Sequence, residues 1–579
     1  MLTDSPVVRC AGPRLLFAVG TIVALAILLT IHLLRLNGGP PPQMTPIFFF
    51  LFTSGDYGGT VCMFLILVLA AVSPTQSPAR GIVRWAGEHP LIIAAISLSV
   101  LCVGAVAVYH THPLSMDEYA AYFQSRIFAA GHLTGQFPLP LMDWVIPPRF
   151  QNYFLTVSHA TGQVASAYWP AHALIMAPFT LAGISWACNP VIATLTLLVI
   201  HRLALRIFED TEAAGLALLL TVASPAIFGF GISYYSMPSH LLANCLYALL
   251  LIRPTPSRAF VAGIVGSIAL TLHNPVPHML FAAPWLIWIA IRPGGIRLLV
   301  LLCAGYLPLC GLLGIGWFEF SNHLRNEGQR LLSANADLAG RLKAMLGLFH
   351  RPDRMVILFR LIAVAKIWAW AVPGLLLLAC IGAVRRRGNI TCRLFAASAL
   401  TTFIGYCFFP QDQAHGWGYR YFHSAWMTLP LLATAALYGP AGFRDRPADA
   451  TGESAGIFDD QATKSYVTAC ILLTLVFGVG FRAWQMQRFM ADDLNQLPHY
   501  RGTERRVVIV DEAKSFYGAD LVQNDPWLRG NVIRMITHGP VEDKKMMAQN
   551  YPTWHQVYGD RFGTVWSAAP RLSRSEPGP

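Results

Sequence analysis

The chain has 579 residues, of which 55% are hydrophobic and only 12% are charged, whereas soluble domains carry about 25% charged residues. This composition excludes a soluble enzyme, a disordered regulator and a small disulfide-rich secreted domain. The formal net charge of +12 does not indicate nucleic acid as a partner here, because basic residues ordinarily flank the cytoplasmic ends of membrane spans.

Apolar runs long enough to cross about 30 Å of hydrocarbon recur from residue 15 to residue 484. The first run is too long for the hydrophobic region of a signal peptide, so we interpret it as a span. Arg9 and Arg14 before it place the N-terminus in the cytoplasm. In chain order the predicted spans are 15–34, 50–72, 90–108, 190–208, 213–232, 238–252, 259–275, 277–292, 298–318, 367–384, 394–409, 423–438 and 466–484.

The apolar run at 168–184 is long enough to span, but the distribution of arginines indicates that it does not. If this run lies on the outer surface, nearly all basic pairs and the arginine triplet at 385–387 fall inside. If it spans, every later loop inverts and the triplet falls outside, against the positive-inside rule. Residues 109–189 are therefore predicted to form one large outer loop with interfacial helices, and the C-terminal tail is placed in the periplasm.

These patterns predict an all-α polytopic membrane protein of about 13 spans with a small α/β C-terminal lobe. We divide it into additional N-terminal spans at 1–89, a transmembrane domain at 90–484 and a periplasmic lobe at 485–579. A second outer loop, at 319–366, contains the run MVILFRLIAVAK. We interpret this run as an amphipathic interfacial helix whose basic residues extend to the headgroups or hold a lipid phosphate. The stretch 439–465 is interpreted as a flexible inner linker.

The lobe opens with RRVVIVD at 505–511, a pattern typical of a short buried strand. Turn signals follow at 524–526 and 550–552, where Asn and Pro residues cluster. Strand and turns together predict a small α/β unit after the last span.

An acidic pair follows the third span, in the run HTHPLSMDEYAAYFQSRIFAAGHL. Asp117 and Glu118 open a predicted helix whose apolar residues, including Tyr119 and Phe123, fall on one face. Ser115 and Glu118 match the capping box S-x-x-E, which gives Glu118 a structural role. Asp117 has no structural role beyond its favourable place at the positive helix end. Because a carboxylate at the membrane–water boundary can accept a proton from a hydroxyl, Asp117 is the candidate general base.

Histidines concentrate near the predicted outer ends of spans, which indicates a polar outer cavity. His172 and His273 belong to this set. His110 and His112 lie close enough to Asp117 in sequence to suggest a divalent metal, but a His-x-His pair is a weak signal. We therefore expect no metal or other cofactor to be required.

The predicted outer loop QDQAHGWGYRY, at 411–421, is rich in polar and aromatic residues. Arg420 is its only basic residue, and a guanidinium group suits a phosphate at headgroup depth because it forms bidentate, charge-assisted hydrogen bonds. The alternative is an interfacial aromatic belt in which Arg420 extends to the headgroups.

At these residues the chain resembles the GT-C superfamily of membrane glycosyltransferases. More narrowly, it resembles glycosyltransferase family 39 and its bacterial relatives, which include protein O-mannosyltransferases and the lipid A aminoarabinose transferase. The resemblance covers about residues 90–440. It depends on the acidic pair after an outward span and on the runs YWPAHALIMAPF, LLVIHRLALRIF, SPAIFGFGISYYSMPSHLLANCLYALLLIR and GYRYFHSAWMTLP.

The resemblance implies an inverting transferase in the bacterial inner membrane. Its donor would be a polyprenyl-phosphate sugar, and its acceptor a hydroxyl of a glycan, lipid or protein on the periplasmic face. Asp117 would be the general base, with Glu118 supporting it. Arg420 and Tyr421 would face the donor phosphate. The resemblance also makes His172 and His273 candidates for the donor phosphate site. His273 stands in the sequence LHNP, where the family often has an Arg-Pro pair.

Other functions stay open. A glycan polymerase or ligase that uses a polyprenyl-diphosphate glycan needs a similar acid–base group and arginine. A lipid or solute transporter is disfavoured, because ionisable residues concentrate at the outer face and not along a path across the bilayer. A noncatalytic scaffold that binds glycan through its tail is a third possibility. The sequence assigns no role to the two extra N-terminal spans or to Asp56 within them.

Overall fold

The computed structural model describes residues 11–73, 78–326, 350–439 and 461–568. The chain divides into two compact units. The first unit comprises residues 1–105, 189–310 and 336–485, and the second comprises 106–188, 311–335 and 486–579. The predicted boundary at residue 485 nearly coincides with a unit boundary, but the tail shares its unit with the loop at 109–189. Most of the predicted linker at 439–465 and the middle of the loop at 319–366 lie outside the described residues.

Helices dominate the described chain. In chain order they are α1 (Ala11–Leu36), α2 (Pro46–Val72), α3 (Pro78–Glu88), α4 (Pro90–Ala107), α5 (Met116–Ala129), α6 (Ala171–Leu181), α7 (Cys188–Phe208), α8 (Thr211–Val222), α9 (Pro225–Gly231), α10 (Met237–Leu251), α11 (Pro256–Thr271), α12 (Val276–Ile291), α13 (Gly295–Arg325), α14 (Arg354–Ala369), α15 (Leu375–Arg385), α16 (Ile390–Gly405), α17 (Thr428–Leu437), α18 (Gln461–Leu494) and α19 (Pro540–Asn550).

Seven helices in the described ranges are long and apolar enough to cross a membrane, and α8 with α9, bent by 60°, adds an eighth if the pair is one span. The prediction of a polytopic helical membrane protein is thereby confirmed, while the number of about 13 spans stays a prediction. Helix α6 has 11 residues and rises only about 16 Å, which agrees with the interpretation that the run at 168–184 does not cross.

Close helix packing in the first unit depends on small residues. A Cβ atom at Gly263 of α11 would lie 2.1 Å from the Leu302 carbonyl oxygen of α13, and one at Gly305 would lie 2.2 Å from the Phe260 carbonyl oxygen. Either glycine therefore admits the backbone of the other helix, as is common between membrane helices.

The second unit contains two sheets. Strands β1 (Gly135–Gln136), β3 (Gln163–Ser166) and β2 (Leu155–Val157) form a small antiparallel sheet in that order. In the tail, β4 (Arg506–Val510) pairs in parallel with β5 (Val532–Ile536) and antiparallel with β7 (Gly563–Ser567), which pairs with β6 (His555–Asp560). Helix α19 lies between β5 and β6 in sequence, so the predicted α/β lobe and its first strand are confirmed.

One hydrophobic core serves both parts of the second unit. It combines Tyr119, Phe123 and Ile127 of α5 with Val507 and Ile509 of β4. The tail therefore packs with the loop as one folded unit and does not form a separate core.

Candidate active site

The acidic pair lies at the N-terminus of α5, in the second unit. Ser115 is the N-cap residue, as predicted, but its side chain makes no capping hydrogen bond. The Met116 amide instead donates a hydrogen bond of 2.8 Å to the Asp520 carboxylate of the tail. The predicted capping box is therefore wrong in its Ser115 half: the Glu118 amide donates to the Ser115 backbone carbonyl at 3.0 Å and not to its side chain.

Glu118 is fully buried. Its carboxylate accepts a hydrogen bond of 2.7 Å from the Tyr109 hydroxyl. A buried carboxylate with this partner has a fixed position beside Asp117, consistent with the supporting role expected for it.

Asp117 is half-buried. It accepts a hydrogen bond from the hydroxyl of Tyr168, a residue that precedes α6 in the sequence. Helices α5 and α6 run parallel, because Ser125 and Thr180 near their C-terminal ends also bond, at 2.9 Å. The positive end of the α5 dipole therefore lies beside the Asp117 carboxylate. Fully buried His172 stands in the first turn of α6, at the same edge of the helix pair.

Sequence reasoning missed two residues of this site, Asp520 and Tyr168, and Asp520 is the one without any local signal. It is buried, and burial together with the negative charge of Asp117 raises its pKa to about 7. No local pattern marks Asp520, because it lies about 400 positions from the helix that it caps. Tyr168 stood within the YWPAH run and could have been noticed there as a polar aromatic residue before a helix.

The tail holds α5 through a second pair of bonds. The Tyr119 hydroxyl donates to the Asn524 carbonyl at 2.5 Å and accepts from the Asn524 amide at 2.8 Å. Arg126, in the last turn of α5, forms an ion pair of 3.3 Å with Asp525. The segment at 518–525 therefore fixes the helix that carries the acidic pair.

The geometry gives little support to the metal hypothesis. His110 is exposed, whereas burial and the nearby charge of Arg534 lower the pKa of His112 to about 3. Within the described ranges no group of three or more His, Cys, Asp or Glu side chains is arranged to hold a metal ion. The need for a metal stays untested.

In the first unit, the loop at 411–421 is ordered by a glutamine. The Gln413 side chain donates to the Gly418 carbonyl at 2.9 Å and accepts from the Arg420 amide at 3.0 Å. Gly416 and Gly418 have φ angles of 123° and 67°, which favour glycine. The loop ends in a helical turn, Arg420–His423.

Arg420 is half-buried among aromatic rings. Its guanidinium carbon lies 5.7 Å from the centre of the Tyr235 ring and 5.6 Å from that of Tyr421. Tyr421 stacks on Tyr406 at 4.5 Å and donates a hydrogen bond of 3.0 Å to the Asp412 carbonyl. Arg420 and Tyr421 are thus brought together, as predicted, on a tightly held loop.

A second guanidinium group, from Arg360 of α14, lies at the same loop. It donates to the carbonyls of Tyr406 and Phe409 at 2.9 and 2.8 Å, and its carbon lies 5.7 Å from the Tyr421 ring centre. Arg360 is only 4% exposed. Two guanidinium carbons, Arg360 of α14 and Arg420 of the loop, therefore lie within 6 Å of the centre of the Tyr421 ring.

Helix α14 contains the MVILFRLIAVAK run, and the prediction of a helix there is confirmed. The expectation that its basic residues extend to the headgroups is wrong for Arg360 and Lys366, which are both buried, whereas the alternative that they hold a lipid phosphate stays a prediction. The exposed side of the helix carries Ile357 and Leu361 instead. The amphipathicity is inverted because each cation has hydrogen-bond partners inside the unit.

Lys366 belongs to a buried ion cluster around Asp56. The Asp56 carboxylate lies 2.6 Å from Lys366 Nζ and 3.2 Å from an Arg482 nitrogen, and it accepts a hydrogen bond of 2.6 Å from the Trp370 indole. A Cβ at Gly59 would lie 2.0 Å from the Arg482 guanidinium. The sequence TSGDYGG therefore joins an N-terminal span to α14 and α18.

The N-terminal spans also contact the arginine loop. Asp412 accepts hydrogen bonds of 2.7 and 2.9 Å from the amide and hydroxyl of Thr45, which caps α2. Trp370 packs against Trp417, with ring centres 6.2 Å apart. The two extra spans, which had no assigned role, thus support the loop that carries Arg420.

The candidate residues fall into two sets. Asp117, Glu118 and His172 belong to the second unit, whereas Arg420 and Tyr421 belong to the first. In the first unit, His273 is half-buried between α11 and α12, and its role in donor binding stays a prediction.

No protein-family model matches the sequence, and a comparison with curated proteins gives no match either. Two solved structures of ArnT from Cupriavidus metallidurans are similar in fold. The apo structure has a TM-score of 0.51 at 13% sequence identity, covering 84% of this chain and 98% of that chain. The structure bound to undecaprenyl phosphate has a TM-score of 0.49 at 13% identity, covering 85% and 100%.

The fold assignment depends on the apo structure, which extends over almost all of both chains. ArnT is a lipid A aminoarabinose transferase of the GT-C type. The chain therefore has an ArnT-like fold, and the fold expected from the sequence resemblance is confirmed.

Proposed function

We propose that the chain is an inverting glycosyltransferase that moves a sugar from a polyprenyl-phosphate donor to an acceptor hydroxyl at the periplasmic face of a bacterial inner membrane. The ArnT-like fold motivates the carrier, since ArnT itself has been solved with undecaprenyl phosphate. The transferred sugar, a hexose or a pentose, and the acceptor are left open.

The charge around the arginine loop is the observation that carries the proposal. In the described part of the first unit, the buried and half-buried charged side chains near this loop are four cations and two carboxylates: Arg360, Lys366, Arg420 and Arg482 with Asp56 and Asp412. Excess positive charge in an apolar unit is costly without an anion. A phosphate group, which arginine binds in bidentate fashion, is an anion that suits this excess of positive charge.

Asp117 would supply the base for the chemical step. It takes the proton of the acceptor hydroxyl while the acceptor oxygen bonds to the anomeric carbon of the sugar. The bond from that carbon to the phosphate oxygen breaks, and polyprenyl phosphate leaves with the bonding electrons. A phosphate leaving group needs little protonation, so one base and cationic stabilisation by Arg420 suffice. Attack opposite the leaving group inverts the anomeric centre.

The test is lipid binding to the full chain in nanodiscs. We expect Arg420→Gln to weaken binding of undecaprenyl phosphate at least tenfold, because the guanidinium is lost while the loop is still held by the Arg420 backbone. Arg253→Gln is the matched control, since Arg253 forms an exposed ion pair with Glu209 in the same unit. Equal binding by both variants and the wild type would remove Arg420 from the donor site. Preference for a polyprenyl diphosphate glycan would favour a polymerase or ligase instead.

A further inference from the structure

Four buried polar groups near Arg420 have no hydrogen-bond partner among the described residues. They are the hydroxyls of Ser236 and Ser424, the indole N–H of Trp426 and the Nδ1 atom of His423. None of these residues is more than 5% exposed. Since buried polar groups in native proteins are nearly always hydrogen-bonded, four in one region indicate a bound molecule that carries several polar groups.

Ring contacts place the four groups in one neighbourhood. The Phe230 ring lies 4.3 Å from the His423 ring and 6.0 Å from the Tyr235 ring. The ring centres of Trp426 and His423 lie 6.2 Å apart. The guanidinium carbon of Arg420 lies 5.7 Å from the centre of the Tyr235 ring. We call Ser236, His423, Ser424 and Trp426 the polar cluster. It adjoins the arginine that we assign to the donor phosphate.

The backbone around the polar cluster is fixed by buried amides. The Asn189 side chain donates to the carbonyls of Ser233 and Tyr235 at 2.7 and 2.8 Å. The Asn244 side chain donates to the Ser424 carbonyl at 2.9 Å. Its oxygen therefore accepts from His278 Nδ1 at 2.7 Å. These bonds use backbone carbonyls, so the hydroxyl and indole groups of the cluster are the ones left for a ligand.

The chemistry of the polar cluster suits an uncharged sugar. Hydroxyl, indole and imidazole groups beside aromatic rings match sugar hydroxyls and the apolar faces of a sugar ring. The buried carboxylates of the first unit, within its described part, are Asp56 and Asp412. Asp56 pairs with Lys366 and Arg482, and Asp412 bonds to Thr45. Within the described part of this unit, both buried acids therefore already have partners and neither faces an amine on the ligand.

We propose that the polar cluster is the sugar subsite of the donor and that it accepts a sugar without a free amine. This inference rests on the proposed function, since it takes Arg420 to hold the donor phosphate. It distinguishes the chain from an aminoarabinose transferase with the same fold, because the substrate sugar of such an enzyme bears an amine.

The experiment compares three ligands on the full chain in nanodiscs: undecaprenyl phosphate alone, the same lipid carrying a neutral hexose or pentose, and the same lipid carrying 4-amino-4-deoxyarabinose. We expect one of the neutral-sugar donors to bind at least tenfold more tightly than the sugar-free lipid. We expect the amino-sugar donor to show no such gain. Trp426→Phe should abolish most of the gain and leave binding of the sugar-free lipid unchanged.

Ser424→Ala provides a second, smaller change in case the tryptophan variant does not fold, and it should reduce the gain about threefold or more. Trp484→Phe is the matched control, since Trp484 is exposed on α18 in the same unit. The inference is overturned if the amino-sugar donor binds best, if no neutral sugar adds affinity, or if the cluster variants weaken the sugar-free lipid equally. These outcomes overturn the inference alone. If the wild type does not bind undecaprenyl phosphate at all, the proposed function and the inference are both overturned.

Discussion

The Asp520 carboxylate caps helix α5 by accepting the amide hydrogen of Met116 at 2.8 Å, one residue before the candidate base Asp117. Residues far apart in sequence thus meet at the start of one helix. The tail is therefore an integral part of the unit that carries the acidic pair, and it holds the start of the helix on which that pair lies.

The first prediction concerns the pH dependence of stability. Burial and the charge of Asp117 raise the pKa of Asp520 from its ordinary value of 3.8 to about 7. Between these two values the folded chain holds a proton that the unfolded chain has lost, so stability falls as the pH rises from about 4 to about 7. The full loss, at most about 4 kcal/mol by the usual conversion, is present above pH 7.

Asp520→Asn should flatten this part of the profile of melting temperature against pH and raise the melting temperature above pH 7, because the amide is uncharged and its oxygen still accepts from Met116. Asp143→Asn is the control, since Asp143 is exposed in the same unit. An unchanged slope between pH 4 and 7 in the Asp520→Asn variant would contradict the assignment.

The second prediction concerns the orientation of the base. Tyr168→Phe removes the hydroxyl that donates to Asp117 and leaves the ring in place. Hydrogen bonds to charged groups contribute about 1.5–3 kcal/mol, so we expect kcat for sugar transfer to fall roughly 10- to 100-fold with little change in KM for the donor. Tyr153→Phe, at a 66% exposed position of the same unit, should leave kcat unchanged. If both variants turn over at the wild-type rate, Tyr168 does not position the base.

The third prediction concerns the buried ion cluster. Asp56→Asn leaves Lys366 and Arg482 buried without a counter-ion, whereas Lys366→Met leaves Arg482 paired with Asp56. Loss of one partner from a buried pair costs about 3–5 kcal/mol. Asp56→Asn should therefore lower the melting temperature in detergent more than Lys366→Met does. The opposite order would show that the carboxylate is not what stabilises the cluster, and Glu209→Gln, in an exposed pair, should have little effect.

Much of this architecture could be predicted from local sequence patterns. The acidic pair at a helix start, the apolar face of α5 and the strand at Arg506–Val510 all follow from short-range periodicity and composition. Arginine counts predicted a run at 168–184 that does not span, and the structure forms only an 11-residue helix there.

Contacts between distant segments could not be predicted in this way. Asp56 with Lys366 and Asp520 with Met116 each join positions more than 300 residues apart, and one sequence contains no signal that pairs them. The burial of Arg360 and Lys366 on α14 was not predicted for the same reason, since their partners lie on other elements. A helix at the surface of a membrane protein can turn its charged side chains inward when hydrogen-bond partners lie in the protein interior. Its apolar side chains then face outward, the reverse of the arrangement expected for an interfacial helix.

The most direct measurement of the central claim is native mass spectrometry of the wild type and Asp117→Asn, both purified in native lipid. Asp117→Asn keeps the shape of the side chain but cannot act as a base, so transfer should stop while the donor still binds. The account predicts that this variant retains more polyprenyl monophosphate carrying one sugar than the wild type does. A polyprenyl diphosphate glycan in both samples, or no polyprenyl lipid in either, would contradict it.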